Sequence, residues 1–230
     1  VLNRKAQESE KMKQAFINSI CHEIRTPLNS IVGFSDLIMN EDIDEEMRRE
    51  FPAEIQKSTL LLTRLVNSML EVANLDVSED KLPCEPVDIR NMCMQEMEKI
   101  SPKPRIKYQL DITEDTLFIP TNAQYLTMVI EHLLNNANKF TEEGFIALGY
   151  KVNLSKNQIC ISVTDSGCGI PKEKQEEVFN RFSKLDTFVP GNGLGLYLCR
   201  LIVKRLDGEI KIDPEYTDGT RVVVNLPMNE

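Results

Sequence analysis

The sequence has no tryptophan, only two histidines and no apolar run of membrane-spanning length. A transmembrane helix needs roughly 20 consecutive apolar residues, so we expect no membrane contact by this fragment. Positive charge is also scarce, because 27 Lys and Arg stand against 36 Asp and Glu, for a net charge of −9. Proteins that bind nucleic acid need a basic surface, so we do not expect nucleic acid as a partner.

Cysteine is present but shows no useful pattern. The six cysteines lack the paired spacing of metal sites and of small disulfide-bonded scaffolds. We therefore predict reduced thiols, no metal cluster and a cytoplasmic location. No signal peptide is visible, and we expect the chain to be a portion of a longer protein. Its 230 residues, 41% apolar, suffice for one or two domains with a core.

Residues 1 to about 40 show the three- and four-residue apolar spacing of one long helix. His22 lies off this stripe and should point to water, with Glu23 beside it and Thr26 on the same face. Pro27 removes a backbone donor and should kink the helix next to the histidine. Two interpretations stay open, a surface histidine near a kink or a nucleophile presented to a reactant. The stripe is Ile17, Ile20, Ile24, Leu28, Ile31, Phe34 and Ile38.

A second helix follows a polar break and continues to about Asp76. Its apolar positions repeat in a four-three pattern, the period of a supercoiled seam. Pro52 marks either the first turn of this helix or a kink within it. Because further leucines widen the apolar surface, we expect two hairpins from two chains to form a four-helix bundle, a homodimer. The seam is Ile55, Thr59, Leu62, Val66, Met69 and Ala73, and the leucines are Leu60, Leu61, Leu65, Leu70 and Leu75.

Acidic residues and prolines in 79–86 predict a linker between two domains, 1–78 and 87–230. Beyond the linker, helical and strand patterns are mixed, which indicates an α/β sandwich with helices on one face of a sheet. Asp88 and Asn122 are predicted to cap two of the helices. The predicted helices are 89–100, 122–138 and 194–206, and the predicted strands are 106–110, 116–119, 145–152, 158–164, 209–213 and 220–226.

Two clusters in the second domain suit nucleotide chemistry. Asn135–Thr141 closes a helix with amides and Lys139; amide oxygens suit Mg²⁺ and lysine suits phosphate. Its alternative is a polar helix end with a favourable lysine. Asp165–Ile170 follows a strand, where a buried Asp165 can accept the exocyclic amine of adenine and glycines admit a flat base. Its alternative is an ordinary turn.

A third cluster, Gly191–Leu196, would expose backbone amides at the start of a helix, where anions bind. No strand runs directly into it and no Walker lysine motif is present, which disfavours Rossmann and P-loop sites. The segment before it has no firm periodicity and is a candidate lid. The order of amide helix, aspartate–glycine turn, lid and glycine helix is more specific than any one part. The lid contains Phe179, Arg181, Phe182 and Lys184.

Together these motifs resemble those of the sensor histidine kinases of two-component signalling, over nearly the whole chain. His22–Leu28 is similar to the phosphoacceptor box, Asn135–Thr141 to the N box, Asp165–Gly169 to the G1 box, Phe179–Phe182 to the F box and Gly191–Leu196 to the G2 box. The resemblance implies a multidomain α and α+β protein, with a dimerising N-terminal helical hairpin and a C-terminal ATP-binding sandwich of the Bergerat type. It also implies ATP and Mg²⁺ as cofactors and a response-regulator receiver domain as partner.

The resemblance carries roles over by position. His22 would accept the γ-phosphoryl group and pass it to a receiver aspartate, Glu23 would polarise or deprotonate the imidazole, and Thr26 would orient water for dephosphorylating the partner. Lys184 stands at a basic position near the γ-phosphate, and Asn136 would ligate Mg²⁺. The implied ATP-binding residues are Asn136, Lys139, Phe140, Asp165, Gly167, Gly169, Gly193, Leu194 and Gly195.

The sequence departs from the family pattern at His132, where asparagine is usual, at Asn192, where threonine is more frequent, and at Pro52. The lid is also short. These departures motivate an alternative, a nucleotide-binding regulatory dimer that transfers nothing or acts mainly as a phosphatase. A Bergerat ATPase of the chaperone or mismatch-repair type is a further alternative, against which the hairpin with His22 argues. We expect an active kinase from a membrane-attached or multidomain sensor.

Overall fold

A computed structural model describes residues 2–39, 44–77, 82–113, 115–181, 183 and 193–228. The chain divides into two compact units, and the division falls between Ala73 and Asn74. The first unit is helical, and the second combines helices with β-sheet. This composition confirms the predicted fold class.

The N-terminal unit is built on two long helices. They are α1 (Leu2–Ile38) and α3 (Phe51–Val77), and the short helix α2 (Glu45–Arg48) lies between them in the chain. Phe34 near the end of α1 packs against Phe51 at the start of α3, with ring centroids 5.4 Å apart. This contact brings the two helices together at their connected ends, as the predicted hairpin requires. Among the described residues, no helix combines the length and the hydropathy that a membrane span needs.

The two prolines of this unit are both accommodated within helix. Pro27 lies inside α1, which continues past it to Ile38, although proline has no N–H for the carbonyl four residues earlier. Pro52 is the second residue of α3, where the missing N–H would have no intrahelical partner anyway. The helix therefore begins at Phe51, which decides between the two placements that the sequence left open.

The buried face of α3 differs from the predicted seam. The buried apolar side chains are Leu65, Val72 and Leu75, whereas Thr59, Val66 and Ala73 of the predicted seam are exposed. Ile55, Leu62 and Met69 of the predicted seam are half-buried, and a four-three repeat is satisfied equally when the positions between them are Leu65 and Val72. Exposed apolar residues remain along both helices: Ile17, Leu28, Val32, Leu37, Leu60, Leu61, Val66 and Leu70.

The second unit holds a five-stranded sheet in the order β2-β4-β5-β7-β6 and a two-stranded sheet of β1 and β3. Strand β2 is parallel to β4, and the other pairs are antiparallel. The strands are β1 (Glu85–Asp88), β2 (Ile106–Asp111), β3 (Phe118–Thr121), β4 (Gly144–Asn153), β5 (Gln158–Asp165), β6 (Glu209–Ile212) and β7 (Thr220–Pro227).

In the described part of this unit, the sheets are accompanied by three α-helices: α4 (Ile89–Glu98), α5 (Ala123–Phe140) and α6 (Gly195–Arg205). Every second residue along the central strands is buried, as expected for a sheet with one covered face. The helices contribute a matching apolar stripe, for example Leu126, Val129 and Ile130 of α5. The buried strand residues are Ile146, Leu148, Tyr150, Ile159, Ile161, Val163, Val222, Val224 and Leu226.

Both predicted caps are confirmed. The Asp88 carboxylate accepts a hydrogen bond from the Asn91 N–H at 3.1 Å. The Asn122 side chain accepts one from the Tyr125 N–H, also at 3.1 Å. Each bond satisfies a first-turn donor that the helix itself cannot, and so fixes where α4 and α5 begin.

The predicted linker ends earlier than we placed it. Glu85 and Pro86 lie in β1, paired with Thr121 and Pro120 of β3. A two-stranded sheet consists of edge strands, in which proline is tolerated. The rest of the predicted division, a hairpin to residue 78 and a domain from residue 87, stays a prediction.

Candidate functional site

His22 lies on α1 with its side chain exposed, as the apolar spacing predicts. Glu23 beside it is half-buried, and Thr26 is exposed one turn later. The Thr26 hydroxyl donates to the carbonyl of His22 at 3.4 Å, which ties this side chain to the backbone of the histidine. The imidazole is thus accessible to a reactant on a helix that holds its backbone in place.

Asp165 ends β5 and is only 6% exposed as a residue. Its Oδ1 accepts hydrogen bonds from the N–H of Gly167 at 2.8 Å and from the N–H of Thr220 at 3.3 Å. Among the described residues, no donor reaches the other oxygen, Oδ2. Burial raises the pKa of Asp165, and the two backbone hydrogen bonds lower it in part. A carboxylate oxygen without a protein donor, on a residue that is mostly buried, is an acceptor that a ligand can fill.

Two glycines allow backbone segments to approach this carboxylate closely. A Cβ atom on Gly167 would lie 2.4 Å from the carbonyl oxygen of Phe140, at the end of α5. Gly219 has φ of +145°, and a Cβ atom there would lie 2.0 Å from the carbonyl oxygen of Asp165. The ends of α5 and β5 and the start of β7 therefore meet at one point.

Gly219 and Thr220 were not among the predicted site residues. Thr220 follows a turn at the start of β7 and pairs with Asp165 in the sheet register. The sequence signal was a glycine–threonine pair opening the last strand, but only the β5–β7 pairing makes these residues neighbours of Asp165.

A methyl group at position 167 should disrupt this junction. Gly167→Ala would place Cβ 2.4 Å from the Phe140 carbonyl oxygen and 2.9 Å from Asp165 Oδ1. Overpacking of this kind costs about 1–3 kcal/mol, and we expect a lower melting temperature of the second unit by thermal unfolding. Gly195→Ala is the matched control, because among the described residues a Cβ atom there meets only His132 Nδ1, at 3.6 Å. Equal stability of the two variants would contradict the prediction.

The end of α5 carries the predicted phosphate and metal residues. Asn136 is half-buried, while Lys139 and Phe140 are exposed, with Lys139 Nζ 4.7 Å from the centroid of the Phe140 ring. His132 lies one turn before Asn136, and burial lowers the pKa of His132, which Glu131 raises in part. The lowered pKa favours the neutral form of the imidazole. This side chain lies where α5 faces Gly195 of α6.

The start of α6 carries the predicted glycines. Gly193 adopts φ of +63°, Leu194 is fully buried, and Gly195 is the first helical residue. A helix N-terminus with glycines presents backbone N–H groups to an anion. Gly169, with φ of +70°, faces the backbone of Gly219. Lys184, Phe182, Gly191 and Asn192 lie outside the described residues.

Among the described residues, no group of three or more His, Cys, Asp and Glu side chains could hold a metal ion. A divalent cation here would depend on the amide oxygen of Asn136 and on oxygens of a ligand. A hard oxygen donor of this kind fits Mg²⁺, which usually takes few protein ligands and the phosphates of its substrate.

Comparisons with known proteins agree with this geometry. Residues 12–77 match the family model of the His Kinase A (phospho-acceptor) domain. Residues 121–230 match that of the histidine kinase-, DNA gyrase B- and HSP90-like ATPases. The chain belongs to the sensor histidine kinases. Its second unit is the ATP-binding domain of this family, and its fold is that of the family's catalytic domain.

Curated histidine kinases align over almost the whole chain. A sensor-like histidine kinase of Pyropia yezoensis is 30% identical over 233 residues, covering 93% of the chain and 36% of the relative. Hybrid signal transduction histidine kinase A of Dictyostelium discoideum is 29% identical, covering 96% of the chain and 11% of the relative. The chain thus spans about a third or less of these histidine kinases.

Solved histidine kinases share the fold. Full-length ShkA in complex with AMPPNP is 26% identical, with a TM-score of 0.70, covering 94% of the chain and 46% of ShkA. ThkA in complex with the response regulator TrrA is 21% identical, with a TM-score of 0.75, covering 98% of the chain and 65% of the matched chain.

Proposed function

We propose that this histidine kinase transfers the γ-phosphoryl group of ATP to His22 and passes it on to an aspartate of a response-regulator receiver domain. One observation carries the proposal. His22 is the only histidine within residues 12–77, the segment that matches the phospho-acceptor domain. Its exposed side chain on α1 is accessible for that role.

In the first step, an imidazole nitrogen of His22 forms a bond to the γ-phosphorus while the bond to the β–γ bridging oxygen breaks. ADP leaves with that oxygen, and the imidazole loses its ring proton. Glu23 stabilises the imidazolium that forms and accepts the proton. In the second step, the phosphoryl group passes to a carboxylate oxygen of the receiver domain. Thr26 would orient water when the same protein dephosphorylates its partner.

The nucleotide would be held by the residues that converge in the second unit. Asp165 Oδ2, which has no donor among the described residues, would accept a hydrogen bond from the exocyclic amine of adenine. Gly167 and Gly169 would shape the base pocket, and Lys139 and Phe140 would lie near the phosphates. The N–H groups of Gly193, Leu194 and Gly195 would bind phosphate oxygens. Lys184 stays a predicted contact to the γ-phosphate.

Asn136 would supply its amide oxygen to Mg²⁺ bound with ATP. A bound Mg²⁺ neutralises phosphate charge and helps to align the transferred group, which is most of what phosphoryl transfer requires. The half-buried position of Asn136 on the last turns of α5 supports this role.

The hairpin would form a homodimer. The eight exposed apolar side chains along α1 and α3 leave more apolar surface in water than one chain usually tolerates. A four-helix bundle of two hairpins would cover it. The receiver domain is proposed from the family, and ThkA of the same fold has been solved with a response regulator.

A second candidate is a nucleotide-binding regulatory dimer without kinase activity, or one that is mainly a phosphatase. It rests on His132, an imidazole at a position where this family usually has an asparagine, next to Gly195. The labelling experiment below separates the two candidates.

The test is incubation of the chain with Mg²⁺ and ATP labelled in the γ-phosphate. A phosphorylated histidine is labile in acid and stable in base, so we expect the protein to carry label that acid removes and base does not. Label that survives acid, or ATP hydrolysis without labelled protein, would contradict the proposal. Nucleotide binding without either reaction would favour the regulatory dimer.

Asn136→Ala should abolish labelling by removing the protein ligand of Mg²⁺. The loss should exceed the about 10- to 100-fold that losing an outer-shell metal partner costs. Asn135→Ala is the matched control, since this neighbouring amide is exposed on the same helix. Calorimetric titration with and without Mg²⁺ gives a second readout, in which Asn136→Ala should lose the Mg²⁺ dependence of ATP affinity. If Asn136→Ala keeps that dependence, the metal assignment is wrong.

A further inference from the structure

The last turn of α5 is held by a lysine from a distant part of the chain. Lys103, in the loop between α4 and β2, donates from its ammonium group to the carbonyl of Thr141 at 3.0 Å and to that of Asn138. The last carbonyls of a helix have no intrahelical donors, and a cation at that end is favoured by the helix dipole. Lys103 supplies both the donors and the charge.

Two side chains extend this contact into a closed network. The Tyr108 hydroxyl of β2 accepts a hydrogen bond from the backbone N–H of Lys103 at 3.0 Å and donates one to Asn138 Oδ1 at 2.8 Å. Asn138 Nδ2 in turn donates to the carbonyl of Ser101 at 3.2 Å. The α4–β2 loop, β2 and the end of α5 are therefore joined by several hydrogen bonds.

The network fixes the helix end that forms one wall of the nucleotide site. Phe140 lies in the chain between the two residues whose carbonyls Lys103 binds, and its own carbonyl oxygen lies where a Cβ atom on Gly167 would be only 2.4 Å away. Gly167 donates to the buried carboxylate of Asp165. A shift of the last turn of α5 would therefore be transmitted to the Asp165 turn and would move Lys139 and Phe140 with it.

We propose that Lys103 and Tyr108 are positioning residues of the nucleotide site, which hold the last turn of α5 against the Asp165 turn and so set the affinity for ATP. The proposal rests on the proposed function, because it assumes that this site binds ATP. Neither residue needs to touch the nucleotide, since both act through Asn138, Phe140 and Gly167.

Lys103→Met keeps the aliphatic stem and removes the ammonium group, and Tyr108→Phe removes only the hydroxyl. We expect each to weaken ATP binding about five- to ten-fold, the effect of losing one or two hydrogen bonds. The labelling rate at saturating ATP should stay close to wild type, so that KM rises without a matching loss of kcat. Lys103→Arg retains donors and charge and should recover part of the affinity.

Hydrogen exchange gives a readout that does not depend on ATP. Peptides covering 137–141 should exchange faster in Lys103→Met and Tyr108→Phe than in the wild type, while peptides from β6, at the sheet edge opposite β2, should not change. Lys107→Met is the matched control, because Lys107 is an exposed lysine of β2 next to Tyr108, and it should bind ATP like the wild type.

The outcomes separate this proposal from the proposed function. A wild-type chain that does not bind ATP overturns the proposed function. A wild-type chain that binds ATP, together with variants of unchanged affinity, overturns only the positioning role. A lower melting temperature with unchanged ATP affinity well below the transition would show a merely structural role and would also overturn it.

Discussion

His22→Gln is expected to abolish protein labelling from ATP. Glutamine has no nucleophilic nitrogen of comparable reactivity, and removing the group that forms the covalent bond typically lowers an enzymatic rate by about 10⁴-fold or more. Nucleotide binding should be retained, because the proposed ATP contacts all lie in the second unit. The measurements are acid-labile radiolabel on the protein and ATP affinity by calorimetry.

Cys21→Ser is the matched control for this substitution. Cys21 is exposed and immediately precedes His22 on α1, so its variant tests whether any change at this point of the helix affects labelling. We expect wild-type labelling. Acid-labile label that persists in His22→Gln would place the acceptor elsewhere and remove the central residue of the proposed function.

Asp165→Asn is expected to separate nucleotide binding from folding. The amide keeps an oxygen that can accept from Gly167 and Thr220 but loses the charge, and its NH₂ group would face the amine of adenine. Loss of a hydrogen bond to a charged group costs about 1.5–3 kcal/mol, which corresponds to roughly 10- to 100-fold weaker ATP binding. Isothermal titration with ATP measures the change.

The folding stability of Asp165→Asn should not fall with its ATP affinity. Burial raises the pKa of Asp165, so the folded state binds this proton more tightly than the unfolded chain does. The carboxyl group therefore favours the fold at low pH and opposes it once the pH exceeds its pKa in the folded state. Without ATP, Asp165→Asn should melt at the same or a higher temperature at neutral pH, and any gain should shrink as the pH falls.

A nucleotide with a carbonyl in place of the exocyclic amine provides the control. Inosine triphosphate presents an oxygen at that position, to which the amide of Asp165→Asn can donate, so the preference for ATP over ITP should decrease or reverse. If the variant binds ATP as tightly as the wild type, Asp165 does not contact the base.

Features governed by neighbouring residues were predictable from the sequence. The caps Asp88 and Asn122 act within three residues, so their hydrogen bonds follow from local geometry. The exposed position of His22 follows from helical periodicity. The strands of the five-stranded sheet were also predicted. A strand with one covered face alternates apolar and polar residues, and this pattern is visible within the strand's own sequence.

Features governed by packing between distant residues were not predictable in this way. The seam of α3 depends on which of two adjacent sets of positions is covered, and the four-three repeat alone does not decide this. Strand β1 was missed because Pro86 and its acidic neighbours are typical of a linker, and only pairing with β3 makes them a strand. Thr220 meets Asp165 only through the β5–β7 register, and no sequence pattern connects Lys103 to Thr141.

The parallel pairing of β2 with β4 has a consequence for how the second unit assembles. The turn between β4 and β5 is short, so these strands can pair early, whereas β2 joins β4 only after a long crossover that contains α5. Such non-local pairing forms slowly because the intervening loop must close first. The crossover helix α5 also carries Asn136 and Lys139. We therefore expect bound nucleotide to stabilise the β2–β4 pairing, which is the part of the sheet that forms last.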